Sequence, residues 1–138
     1  MFTRNIPTTI GNLHDSVVLA FAQNRLSGPI LEIIGNLVQL TDIKLDGNNL
    51  SGRIPASIGS CTQLQILNLA HNSLNGTIPS KIFKISSLSE ELDLSHNYLT
   101  GGILEEVGNL INLKRLRISK NIVLKLIKAS RGKPLPYS

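Results

Sequence analysis

The sequence predicts an α/β repeat solenoid, in which short parallel strands stack coil upon coil into one curved sheet. Three observations predict this fold. An asparagine recurs every 24 or 25 residues, the same apolar positions precede it each time, and a glycine usually follows it four residues later. The recurring asparagines are Asn24, Asn48, Asn72, Asn97 and Asn121. Agreement at so many positions with one period indicates copies of one supersecondary unit.

Each unit begins with a predicted strand. Large apolar residues stand three and five positions before the asparagine, as Leu45 and Ile43 do before Asn48. Alternation with a period of two places such side chains on one face of a strand. One strand cannot bury that face by itself. We therefore expect the copies to stack about 4.8 Å apart, as a right-handed solenoid with a curved parallel sheet of about five strands.

The remainder of each unit carries the chain around the convex side. We expect the asparagine to turn inward and bond backbone groups of its own and neighbouring coils, because buried polar groups need partners. The glycine permits a sharp turn, and Pro55 and Pro79 then end the pairing between strands. Segments such as Ile58-Gly59 are expected to form irregular or 3₁₀-like turns.

The repeats divide the chain into a solenoid over residues 1–121 and a divergent basic tail over residues 122–138. Ser16 and Ser89 are expected where other repeats have leucine, and Leu31 and Leu104 replace the proline of the repeat.

The tail is interpreted either as a basic surface-binding segment or as a frayed end. Because neither end has a polar cap, we expect the isolated chain to self-associate or fray. The predicted units are a partial repeat 1–15, repeats 16–39, 40–63, 64–88 and 89–112, and a partial repeat 113–121.

Charge is divided unequally along the chain. The whole sequence of 138 residues has a net charge of +5, yet residues 1–112 hold six basic and nine acidic residues, which is −3. Residues 113–138 hold eight basic residues and no acidic one. The acids of one repeat are expected to pair with the bases of the next across adjacent strands. An anion-binding site is the alternative interpretation, although no nucleic-acid partner is predicted. The expected pairs are Glu90 with Lys114, Glu91 with Arg115, and Asp93 with Arg117.

The repeats resemble plant-type leucine-rich repeats, whose pattern is L-x-x-L-x-L-x-x-N-x-L-S-G-x-I-P. The segments that carry the resemblance are LTDIKLDGNNLSGRIPASIGSC and LQILNLAHNSLNGTIPSKI. A third segment, LSEELDLSHNYLTGGI, is similar to ectodomains of plant receptor-like kinases, in the immune-receptor subfamily of the flagellin and elongation-factor receptors and their rice relatives. The resemblance implies a module that binds a protein or peptide ligand or a co-receptor in signalling or defence. It also implies a position at the extracellular face of the plasma membrane.

A stand-alone secreted protein, such as an inhibitor of pathogen wall-degrading enzymes, is the alternative function. Full-length relatives carry a Ser/Thr kinase domain, a membrane span and cysteine-paired caps, which this sequence does not contain. We therefore expect a fragment or truncated relative without enzyme activity, linked to a membrane only through a missing transmembrane segment. The N-terminus does not have the pattern of a signal peptide, and no apolar run approaches the roughly 18–20 residues that span a bilayer.

The concave face is the expected ligand-binding surface, because strand side chains between the buried leucines point to solvent. These residues differ from repeat to repeat, which is typical of a recognition surface but also of exposed positions that nothing constrains. The candidate binding residues are Asp42, Lys44, Asp46, Ile66, Asn68, His71, Glu91, Asp93, Ser95, His96, Arg115 and Arg117.

Few other residues suggest chemistry. His71 and His96 precede the recurring asparagine in neighbouring repeats, so they are expected about 5 Å apart. They could bind a metal ion or titrate, but no third ligand is evident, and neither a metal site nor a cofactor is predicted.

Asn49 and Asn75 begin glycosylation sequons, which would be used only if the protein is secreted. Cys61, the single cysteine, is expected to be a buried thiol, and no catalytic constellation is present.

Overall fold

A computed structural model of the chain describes residues 4–103, 105–122 and 125–126. Leu104 and most of the tail lie outside the described residues. The only helices in the described part are 3₁₀ helices of five residues, and none of them could cross a membrane. In chain order the elements are η1 (Thr8–Asn12), β1 (Val18–Ala20), β2 (Ser27–Pro29), η2 (Glu32–Asn36), β3 (Asp42–Lys44), β4 (Asn49–Arg53), η3 (Ala56–Ser60), β5 (Ile66–Asn68), β6 (Ser73–Gly76), η4 (Ser80–Lys84), β7 (Glu91–Asp93), β8 (Tyr98–Leu99), β9 (Gly102–Ile103), η5 (Glu105–Asn109), β10 (Leu116–Arg117) and β11 (Lys125–Leu126).

The predicted concave sheet is confirmed. It contains five parallel strands in the order β1-β3-β5-β7-β10, and we number the coils first to fifth by these strands. The first apolar residue of each L-x-L pattern pairs with its counterpart in the next coil, so the sheet register equals the sequence repeat. The paired residues are Leu19, Ile43, Leu67, Leu92 and Leu116.

A second parallel sheet, which the repeat pattern does not predict, lies after the recurring asparagines. Its strand order is β2-β4-β6-β8, and β9 pairs separately with β11. Gly28, Gly52 and Gly76 in these strands have φ angles of 76°, 77° and 75°, which is the left-handed region that glycine tolerates best. The chain therefore turns sharply at each of these glycines and continues to the 3₁₀ helices of the convex side.

The core is a stack of aliphatic side chains between the concave sheet and the 3₁₀ helices. Leu37, Leu45 and Leu67 are fully buried. Cys61 belongs to the same column as Leu37 and is also fully buried, as predicted. Its Sγ atom lies 3.7 Å from the carbonyl oxygen of Ile34 and 3.6 Å from that of Leu37. Desolvation by burial raises the pKa of this thiol, which makes it a weak nucleophile.

The one-residue insertion of the fourth coil lies after Leu88. The prediction that Ser89 takes a leucine position is wrong, because Leu88 fills that position and is fully buried. Leu88 donates its N–H to the carbonyl of Ile85 at 3.1 Å, as Leu64 does to Cys61. The extra residue therefore lies between the core leucine and β7, where the chain can lengthen without moving the core.

An asparagine ladder joins each coil to the one before it. Asn72 donates from Nδ2 to the carbonyls of Leu45, Leu69 and Ala70, at 2.9, 3.2 and 3.2 Å. Its Oδ1 accepts the N–H of Leu50 from the preceding coil at 2.9 Å. Asn48, Asn97 and Asn121 make the equivalent bonds to the coil that precedes each of them. Each donates from Nδ2 to a carbonyl of that coil, and its Oδ1 accepts a backbone N–H of that coil. Asn24 is exposed, and its two amide bonds stay within its own coil.

Candidate recognition surface

The concave sheet presents three columns of side chains between its buried residues. One column begins at β1 with the exposed Val18 and continues through Asp42, Ile66, Glu91 and Arg115. Asp42, Ile66 and Glu91 are half-buried, and Arg115 is exposed. Strand pairing places Lys44 beside Asn68, and Asn68 beside Asp93. Asp46 follows β3 and is half-buried. The surface is therefore polar and varied, as the alternation of the strands requires.

The second coil holds a local charge pair. Lys44 Nζ lies 3.7 Å from Asp42 Oδ2, and the hydroxyl of Thr41 donates to Asp42 Oδ1 at 2.9 Å. The Lys44 side chain is 43 % exposed, so solvent screens this pair and its contribution to stability is small. Both charged groups therefore stay accessible to a ligand.

Two of the three predicted ion pairs between the fourth and fifth coils are confirmed. Lys114 Nζ lies 3.2 Å from Glu90 Oε1, and Arg115 Nη1 lies 2.9 Å from Glu91 Oε2. Glu91 also accepts a weak 3.4 Å hydrogen bond from Asn68 Nδ2, so it links three coils. Cross-strand pairs of this kind contribute roughly 0.2–1 kcal/mol each.

Asp93 and Ser95 do not point to solvent, so that part of the prediction is wrong. They are 6 % and 5 % exposed. Asp93 Oδ1 accepts hydrogen bonds from the N–H and the hydroxyl of Ser95, because a short carboxylate can close a turn onto its own backbone. Asn68 closes the same turn on the N–H of Ala70 at 3.1 Å. The predicted pair between Asp93 and Arg117 does not form, and Arg117 is exposed.

His71 and His96 stack face to face at the rim of the concave sheet. Their ring centroids are 4.0 Å apart and the rings are nearly parallel, at 12°. Both residues are exposed and have left-handed φ angles of 56°. A metal ion lies in the plane of each imidazole that binds it, so two parallel stacked rings cannot share one ion. Among the described residues, no three His, Cys, Asp or Glu side chains are grouped to hold a metal.

The same region offers no nucleophile with a base. The hydroxyl of Ser95 donates to Asp93 at 2.6 Å, and is thereby oriented toward a carboxylate instead of an imidazole. A catalytic triad requires the histidine to contact the nucleophile. His96 is adjacent in sequence, yet its ring stacks on His71. The Ser95 hydroxyl is therefore engaged by Asp93, and the His96 ring by His71.

Both sequon asparagines are exposed and lie away from the concave sheet. Asn49 is the first residue of β4 and Asn75 is in β6, so both belong to the second sheet. A glycan at either position would project from the side of the solenoid.

The sequence analysis missed an apolar surface on the first coil. Val17, Val18 and Phe21 are 48 %, 53 % and 38 % exposed. The signal was present as the uninterrupted run VVLAFA at residues 17–22. The period-two alternation places Val18 on the outward face of the strand and Phe21 at a core position of the repeat.

Comparison with known proteins agrees with this geometry. Residues 39–61, 63–85 and 90–110 match the family model of the Leucine Rich Repeat. The chain is similar to the LRR ectodomain of the plant membrane receptor kinase GASSHO1/SCHENGEN3 from Arabidopsis thaliana, solved in complex with CASPARIAN STRIP INTEGRITY FACTOR 2. Identity is 36 %, the TM-score is 0.84, and the match covers 88 % of this chain and 14 % of that one. The chain therefore spans about one-seventh of that ectodomain.

Two further solved structures match over most of the chain. A plant ice-binding protein is 33 % identical with a TM-score of 0.83, and the match covers 88 % of this chain and 39 % of that one. A chain of the BIR3–SERK2 complex from Arabidopsis thaliana is 33 % identical with a TM-score of 0.77, over 96 % of this chain and 66 % of that one. No curated protein sequence matches the chain significantly.

Proposed function

Because the chain is a leucine-rich-repeat protein similar to plant receptor kinase ectodomains, we propose that it binds a protein or peptide ligand on its concave face. The supporting observation is the row of accessible charges that changes from coil to coil. Asp42 and Lys44 stand in the second coil, Glu91 in the fourth, and Arg115 and Arg117 in the fifth. A surface that alternates in sign selects partners by charge complementarity.

The binding residues of this proposal are those that stay accessible. They are Asp42, Lys44, Asp46, Ile66, Asn68, His71, Glu91, His96, Arg115 and Arg117. Asp93 and Ser95 instead stabilise the turn beneath that surface. A folded module of this kind would act in signalling or defence at the extracellular face of the plasma membrane, with a co-receptor as a second partner.

Selection from a displayed library of random peptides tests the concave surface, because no ligand is identified. Peptides enriched on the full chain are then measured against Asp46→Lys and Arg117→Glu, which reverse accessible charges. Lys81→Glu is the matched control, since Lys81 is an exposed residue of η4 on the convex side. We expect each concave reversal to weaken binding about tenfold, and the control to leave it unchanged. Failure to enrich any peptide, or equal loss with Lys81→Glu, would contradict the proposal.

Glycosylation at Asn49 and Asn75 belongs to the same proposal. Expression through a secretory pathway, followed by enzymatic removal of N-glycans, would reveal the two glycans as two steps in mass. Asn49→Gln and Asn75→Gln should each remove one step. A secreted chain of unmodified mass would contradict glycosylation at these two sites.

Ice binding is a second candidate function, favoured by the similarity to the plant ice-binding protein. The second sheet exposes short uncharged polar side chains in neighbouring strands, among them Asn49, Ser51 and Asn75. Inhibition of ice recrystallisation by the unglycosylated chain tests this function. Ser51→Lys should abolish the inhibition, and Lys44→Glu on the concave sheet should not change it. Crystal growth at the same rate with and without the chain would eliminate the candidate.

A further inference from the structure

The residue directly before the recurring asparagine has a left-handed backbone in each of the first three coils. Gln23, Gly47 and His71 have φ angles of 57°, 70° and 56°. Their N–H groups donate to carbonyls of the next coil in the same way, at 2.8, 3.0 and 3.0 Å. The three residues therefore form one column at the rim of the concave sheet, in which Gly47 is the member without a side chain.

The ring of His71 has one covered face and one open face. The covered face stacks on His96 in the fourth coil, with the ring centroids 4.0 Å apart. The opposite face turns toward the second coil, where the equivalent residue is Gly47. Because neighbouring strands lie about 4.8 Å apart, the missing side chain leaves a space as thick as one planar group. We call this space, above Gly47 and between Gln23 and His71, the Gly47 gap.

The side-chain amide of Gln23 borders the Gly47 gap from the first coil. A Cβ atom added at Gly47 would meet this amide, and the Oε1 atom of Gln23 would lie 3.0 Å from it. Gln23 is exposed, so its side chain can move outward while its oxygen stays available as an acceptor. The gap therefore has a flat aromatic wall on one side and a hydrogen-bond acceptor on the other.

A carboxylate lies beside the Gly47 gap. Asp46 directly precedes Gly47 and is half-buried, and the Cα atoms of consecutive residues are about 3.8 Å apart. Asp42 and Glu91 on the same concave sheet each form an ion pair, whereas Asp46 forms none within the described residues. A cation that enters the gap would therefore gain a charge-assisted hydrogen bond to Asp46.

We infer that the Gly47 gap binds the guanidinium group of an arginine side chain in a peptide ligand, an inference that rests on the proposed function. A guanidinium group is planar, stacks on aromatic faces and has only hydrogen-bond donors, which lie in its plane. In the gap it stacks on the open face of His71. Its N–H groups then donate to the carboxylate of Asp46 and to Oε1 of Gln23.

Other side chains satisfy only part of this arrangement. A lysine ammonium group would pair with Asp46, but it has no flat face to lie on the ring of His71. An aromatic ring would stack on His71, but it would leave the charge of Asp46 without a partner. Arginine alone combines the flat face, the positive charge and the in-plane donors.

Titration of the full chain with N-acetylarginine amide, followed by NMR, tests the Gly47 gap without any peptide ligand. The titration is run at about pH 8, where histidine side chains are ordinarily uncharged. We expect the signals of Gly47 and His71 to shift, and binding to be at least about fivefold tighter than for the lysine, citrulline and tyrosine analogues. Citrulline has nearly the same shape as arginine but no charge, so it separates charge from shape.

Three variants locate the binding. Gly47→Asn fills the gap with a residue that tolerates a left-handed φ, and His71→Asn removes the ring while keeping that tolerance; each should weaken binding about tenfold. Asp46→Asn removes the charge and should weaken it about threefold or more. His14→Asn and Glu32→Gln are the matched controls, because both residues are exposed and lie outside the concave sheet. Unchanged signals of β5 and β7 would verify that each variant is folded.

Results with peptides separate this inference from the proposed function. Peptides enriched by the concave surface should share an arginine, and its replacement by citrulline should weaken binding about tenfold. Enriched peptides without a common arginine would overturn the Gly47 gap as an arginine site and leave concave binding supported. The inference would also be overturned by absence of binding of N-acetylarginine amide, equal binding of any analogue, insensitivity to Gly47→Asn, or equal losses in the two control variants.

Discussion

Asp93 Oδ1 accepts two hydrogen bonds from Ser95, at 3.0 Å from the N–H and 2.6 Å from the hydroxyl. Both residues are buried, so loss of the carboxylate leaves two donors without partners. We expect Asp93→Ala to lower the free energy of unfolding by about 1–3 kcal/mol, measured by urea unfolding. Asp15→Ala, at an exposed position before β1, is the control and should change it by less than about 0.5 kcal/mol. Equal effects would contradict a structural role for Asp93.

The asparagine ladder predicts a large difference between two chemically identical substitutions. Asn72→Ala removes the acceptor of Leu50 N–H and three bonds to carbonyl groups, and should destabilise the chain by about 2–3 kcal/mol. Within the described residues, Asn24→Ala removes two exposed bonds inside one coil, and it should cost less than about 1 kcal/mol. Chemical denaturation of both variants measures the difference. Similar midpoints would show that the bonds between coils contribute little.

Burial of Cys61 predicts a loss of stability in alkali. Its folded-state pKa is raised above the ordinary value of 9.0, so the thiol favours the folded state at lower pH. That contribution is fully present below pH 9.0 and is lost as the pH rises through the raised pKa. Cys61→Ala removes the thiol, and its free energy of unfolding should therefore fall less between neutral and alkaline pH. An equal decrease in the free energy of unfolding of the original chain and of Cys61→Ala would contradict this prediction.

The thiol should also be unreactive in the folded chain, because only the thiolate is a good nucleophile and burial opposes its formation. Alkylation of Cys61 is expected to follow unfolding, with rapid modification in urea and slow modification in buffer. Mass spectrometry of the alkylated chain measures both rates. Rapid modification of the native chain would show that the core around Cys61 and Leu37 often becomes accessible to solvent.

The ion pair between Glu91 and Arg115 should contribute modestly and depend on salt. A double-mutant cycle with Glu91→Ala and Arg115→Ala is expected to give a coupling energy of about 0.2–1 kcal/mol. In about 1 M salt the coupling should fall, since the Debye length is then about 3 Å. A coupling that is absent in dilute buffer would show that the 2.9 Å contact does not stabilise the chain.

The concave sheet could be predicted because its period and its L-x-L alternation leave one way to stack the strands. The second sheet could not, since strands such as β4 contain glycine and serine without a regular alternation. Leu88 and Ser89 illustrate a further limit. An insertion of one residue can be assigned to either side of a leucine in the sequence, and only packing decides that Leu88 enters the core.

The recognition surface was predictable by column but not residue by residue. The stacking of His71 on His96 follows from their equal positions in adjacent repeats. The burial of Asp93 does not, because Asp42 has the same charge on the same face and stays accessible. The difference arises from the turn that Asp93 closes onto Ser95, which depends on local geometry instead of spacing.

The ladder bonds also give the solenoid a direction during synthesis. The N–H of Leu26 is accepted by Asn48, that of Leu50 by Asn72, and that of Leu74 by Asn97. The acceptor always comes from the following coil, which leaves the ribosome later. A coil therefore completes its backbone hydrogen bonds only when the coil that follows it has packed against it.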